Sequence, residues 1–145
     1  MNIPMADCQN FFSPPTTLKP PSRIEKALLI LLDTGMRGLT VFDTLKYPRG
    51  YECHHIPCSL WTHCLSSYVS SIQAKDIQID RRREPIANTR HGRQTRYWIK
   101  DHESAMRAIA LCNHYRKKRG EEPLQPAQVL LILRQFPADQ DTIRE

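Results

Sequence analysis

Residues 51–64 read YECHHIPCSLWTHC and place three cysteines (Cys53, Cys58, Cys64) and three histidines (His54, His55, His63) within fourteen positions. Thiolates and imidazoles are the ligands of tetrahedral zinc, and four of these side chains would be enough in number for a structural site. The spacing argues against one. Four residues separate Cys53 from Cys58, the upper limit for such a knuckle, and no second ligand pair stands at a distance, the other thiols being Cys8 and Cys112. No metal and no other cofactor is expected. Glu52 beside the histidines could be drawn as an acid–base cluster, but no glycine-rich phosphate loop and no nucleophile motif accompanies it, so no enzyme is expected.

A second group of chemically capable residues lies further on. Residues 75–119 carry thirteen Lys/Arg against five Asp/Glu, within a chain whose net charge is +6. Arg81, Arg82, Arg83, Arg90, Arg93 and Arg96 fall within sixteen positions, with His91 among them. A bounded basic block between a near-neutral and an acidic segment suits a polyanion-facing surface.

Both groups need elements to position them. The 145 residues, 40% hydrophobic and 25% charged, make one globular domain's worth of chain. No apolar run approaches a bilayer span, no secretion signal is seen, and an odd five cysteines read as reduced thiols; a cytoplasmic location is expected. Residues 1–21 hold five prolines without a sustained period and read as an extended or disordered arm. The tetrapeptide SRIE at Ser22 has capping-box form, Glu25 reaching back, and Ile24, Ala27, Leu28, Leu31 and Leu32 follow at helical spacing until Gly35. Thr40 caps a short second helix through Thr44, with Phe42 and Leu45 toward the first.

The apolar positions Leu60, Trp61, Cys64, Leu65, Tyr68, Val69 and Ile72 predict a third helix over residues 59–75, whose other face shows Ser59, His63, Ser66, Ser67, Ser70 and Gln73. The period then changes to two. IQIDRR at 77–82 and TRYWI at 95–99 predict a hairpin, with Pro85, Asn88 and Gly92 in a long basic loop. Beyond it, residues 104–119 predict a helix with Met106, Ile109, Ala110 and Tyr115 inward, and Pro126 opens a last one carrying Val129, Leu130, Leu133 and Phe136.

The order of helix, short helix, longer helix and basic hairpin resembles the winged helix-turn-helix domain of small phage and prophage proteins. The stretch LSSYVSSIQAKDIQIDRRREPIANTRHGRQTRYWI, residues 65–99, is similar to their recognition helix and wing. The resemblance covers residues 22–100 and departs in the interval from Thr40 to Leu65, where YPRGYECHHIPCSLWT is inserted. It implies an α+β fold of three helices and a basic β-hairpin wing; residues 101–145, outside the resemblance, read as a C-terminal helical appendage that packs on the domain or forms a homodimer contact. The resemblance also implies a regulator that binds double-stranded DNA, with no membrane partner. Ser59, Thr62, His63, Ser66, Ser67 and Ser70 would enter the major groove, while Arg81, Arg82, Arg83, Arg90, Arg93 and Arg96 grip phosphates or the minor groove. The alternative is a protein-interaction module, such as a phage-encoded inhibitor of a host nucleic-acid enzyme, because the third helix's outer face lacks Lys and Arg.

Overall fold

The computed structural model describes residues 19–137, so most of the proline-rich arm lies outside the described residues. Its centre is α1 (Arg23–Thr34), in which every residue from Ala27 to Leu32 is at most 1% exposed. A helix apolar on all sides needs partners on all sides. It packs against α3 (Leu65–Gln73), α4 (His102–Lys118) and both hairpins. Ser22 caps α1 by accepting the Glu25 N–H at 3.2 Å, and Gly35 ends it at φ 62°, where an added Cβ would collide with Gln135. Glu25 does not reach back to complete a capping box. Its carboxylate is 1% exposed and accepts two hydrogen bonds from Arg119, at 3.0 and 2.9 Å, which ties the end of α4 to the start of α1.

The short helix α2 (Val41–Leu45) has the full capping box: Thr40 Oγ1 accepts the Asp43 N–H and Asp43 Oδ2 accepts the Thr40 N–H. Of the two residues expected inward, Leu45 is half-buried and Phe42 is not buried. Phe42 is 48% exposed, while Thr44 is buried, with its Oγ1 2.7 Å from the carbonyl oxygens of Val41 and Thr62.

The inserted interval forms a small antiparallel hairpin of β1 (Tyr51–Glu52) and β2 (Ser59–Leu60), paired Tyr51 to Leu60 and Glu52 to Ser59. This corrects the third helix, which begins at Leu65 and not at Ser59. Ser59 and Leu60 are committed to strand pairing, and Thr62 Oγ1 accepts the Cys64 N–H at 2.8 Å just ahead of the helix. Trp61 and Cys64, assigned to the core by helical spacing, are exposed. From Leu65 onward the spacing holds, with Leu65, Val69 and Ile72 inward.

The second hairpin joins β3 (Ile79–Pro85) to β4 (Arg93–Ile99), in register from Ile79–Ile99 to Pro85–Arg93. Its strands run closer to the tip than predicted, leaving a connection of residues 86–92 with Asn88 at φ 66°. Leu39 extends the sheet by exchanging backbone hydrogen bonds with Tyr97, at 2.8 and 2.9 Å. Toward the C-terminus, α4 turns Ala105, Ala108, Ile109 and Cys112 inward, leaving Met106 and Ala110 exposed against expectation. Small residues let α4 lie close on α1. The last helix, α5 (Pro126–Leu133), buries Ile132 and, just beyond its end, Phe136; Leu130 is 64% exposed. The described residues thus form an α+β arrangement of five α-helices and two small antiparallel hairpins.

Candidate nucleic-acid interface

Alternation along β3 and β4 sorts the arginines. Ile79, Arg81, Arg83 and Pro85 share one face of the hairpin with Ile99, Tyr97, Thr95 and Arg93. At its base this face is core, since Ile79, Tyr97 and Ile99 are buried; toward the tip it becomes basic. Arg81 donates to Gln73 of α3 at 2.8 Å and lies over the Tyr97 ring at 5.3 Å, so the basic side is the one turned to α3. Arg83 donates to Thr95 Oγ1 at 3.2 Å. The side chains of Arg90 and Arg93 make no hydrogen bond or ion pair among the described residues, and both residues are exposed.

The opposite face is balanced in charge. Arg82 and Arg96 stand beside Glu84, Arg96 making a bidentate pair with it at 2.8 to 3.1 Å with its own side chain only 23% exposed. Arg82 also lies over the Trp98 ring. Arg96 therefore serves to brace the hairpin, and its guanidinium is not free to hold a phosphate in the way expected. The Arg96 guanidinium, helped by Arg82, holds the Glu84 carboxyl at about 2, below its ordinary 4.5. A depressed carboxylate stabilises the fold above its unfolded pKa, and that contribution is lost as pH falls through the folded value. Wild type should accordingly lose its advantage over Glu84→Gln between pH 4.5 and about 2 in urea unfolding. Parallel pH curves for the two proteins would rule this out.

On α3, Ser66, Ser67 and Ser70 are exposed as expected, joined by Ser71. His63 is exposed ahead of the helix. Thr62 is 2% exposed and occupied by the backbone contacts above, and Ser59 lies in β2, so neither is on the helix face assigned to it. Between α3 and the basic side of the hairpin runs a cleft lined by Phe42, His63, Ser66, Arg83, Arg93 and Thr95 among others, with no carboxylate in its lining. Reasoning from the sequence missed Phe42, which was assigned inward, and Trp61, whose ring stands edge-on to His63 at 4.7 Å. Their only sequence signal was chemical type.

The cysteine and histidine cluster is dispersed. Asp33, fully buried on α1, accepts the backbone N–H groups of His54 and His55 at 2.9 and 3.0 Å and the Tyr51 hydroxyl at 2.9 Å. A carboxylate satisfied in this way anchors the β1–β2 connection to the core. The neighbouring Cys58 thiol and burial push the Cys53 thiol well above its ordinary pKa, burial raises that of Cys112, and Cys58 itself donates to the Lys26 carbonyl at 3.9 Å. Cys64 and His63 point elsewhere on the surface, and no group of three or more His, Cys, Asp or Glu is placed to hold a metal among the described residues. No helix among them is long and apolar enough to cross a membrane. No family model, curated protein or solved structure matches the chain.

Proposed function

We propose that the protein is a winged helix-turn-helix DNA-binding protein, a regulator of the phage or prophage type, that engages duplex DNA with α3 and the β3–β4 wing and performs no catalysis. One observation carries this reading: Arg81, Arg83 and Arg93 stand on the wing face turned to α3, beside a cleft without carboxylates. Phosphate contacts supply most of the affinity of such proteins and fix their register, whereas hydroxyls such as those of Ser66, Ser67 and Ser70 discriminate bases weakly. α4 and α5 complete the core around α1. A homodimer would have to use their outer faces.

The second reading, an interaction module for a host protein, is favoured by the uncharged outer face of α3 and by exposed Leu130 and Leu131. Fluorescence anisotropy with a blunt duplex of random sequence at two salt concentrations separates the two. Tight binding that weakens steeply with salt is expected; no binding at the lower salt would transfer the function to a protein partner.

A further inference from the structure

The cleft holds more than arginine. Phe42, 48% exposed, lines it from α2, and His63 lines it from the segment before α3. Trp61, 42% exposed, flanks His63 edge-on. Arg83 and Arg93 form the facing wall. Large aromatic rings left in water forgo burial that the core could have given them, and here Phe42 lines, and Trp61 flanks, a basic cleft beside α3. Stacked bases within a duplex offer only their edges to a protein, which hydroxyls, amides and guanidiniums read. A ring stacks on the face of a base only where that base is unstacked from its neighbour, and most fully where it has left the duplex. The cleft, at about 250 Å³, is smaller than the roughly 300–1,000 Å³ typical of pockets that enclose whole small molecules. Its scale suits one planar base with its phosphate.

Resting on the DNA reading above, we infer that this cleft receives an unpaired base, stacked on Phe42 and His63 with its phosphate on Arg83 and Arg93, and that the DNA bound best is a duplex continuing into a single strand. Charge complementarity selects the occupant: the lining carries two guanidiniums and no carboxylate, so a neutral apolar segment would leave both cations unpaired.

The test compares a blunt duplex with the same duplex bearing a thymidine overhang, by anisotropy at one salt concentration. The overhang is expected to tighten binding by about five- to 150-fold, the range that base–aromatic stacking supports. Phe42→Ala should bring the ratio below about threefold, while Phe42→Tyr, which keeps the π face, should retain it. In Trp98→Phe, Trp61 is the remaining tryptophan, and its fluorescence should be quenched by the overhang probe and not by the blunt one. Equal binding of blunt and overhang probes, or a preference insensitive to Phe42→Ala, overturns the inference and leaves duplex binding standing. Failure of both probes to bind overturns both.

Discussion

Replacing Arg83, Arg90 and Arg93 together by alanine is expected to lower the slope of log affinity against log salt by roughly 2 to 3 on B-form DNA, because each phosphate contact contributes about 0.9. Between about 50 and 200 mM salt, wild type should then lose roughly fortyfold more affinity than the triple variant. The three are chosen by their surroundings. The side chains of Arg90 and Arg93 have no partner among the described residues, and that of Arg83 has only the Thr95 hydroxyl, so their removal leaves the hairpin's own contacts almost intact. Arg82 and Arg96 make the contrast. Both are held by Glu84, and replacing them should destabilise the wing while leaving the salt slope near its original value. Ser66 and Ser67, whose hydroxyls release no counterions, should alter sequence preference without changing the slope. A triple variant whose slope matches wild type would mean that the basic face does not meet phosphates at all.

That the basic hairpin could be found from sequence at all follows from its period: Ile77 and Ile79, then Tyr97 and Ile99, alternate with polar residues, and a two-residue repeat admits few other structures. The sorting of its arginines was less visible. It depends on the register that sets Arg81 opposite Tyr97 and Arg82 opposite Arg96, and on Glu84, which captures Arg96 from the partner strand. The capping signals were equally local and were met at Thr40 and Asp43. What local pattern could not reach were choices made across long distances. Leu60, Trp61 and Cys64 continue the stripe of α3 on a helical wheel, yet Leu60 pairs with Tyr51, and a two-residue strand has no period by which to announce itself. A five-residue helix such as α2 makes little more than one turn, so the phase of Phe42 was undetermined. The cysteine and histidine stretch looked like ligands because its true partner, Asp33, lies in another element.

Glu25 is the clearest such case, and it carries the largest stability effect. Read locally it closes a capping box with Ser22; in the fold it pairs with Arg119, 94 residues away, at 1% and 12% side-chain exposure. Arg119→Met is expected to cost about 3–5 kcal/mol, because it leaves a buried carboxylate without its cation. For a chain of this length that is a fall in Tm of roughly 6–20 °C, measurable by thermal unfolding. The pair itself need not be strongly stabilising, since taking both ions out of water offsets most of their attraction. Glu25→Leu combined with Arg119→Met should therefore recover much of the loss. The exposed pair of Glu103 and Arg107 on α4, at 73% and 43% side-chain exposure, provides the control, and breaking it should cost no more than about 0.5 kcal/mol. An Arg119→Met protein as stable as wild type would show that α4 is held to α1 by its apolar face alone, and a double variant no better than the single one would show that the loss does not come from an unpaired Glu25 carboxylate.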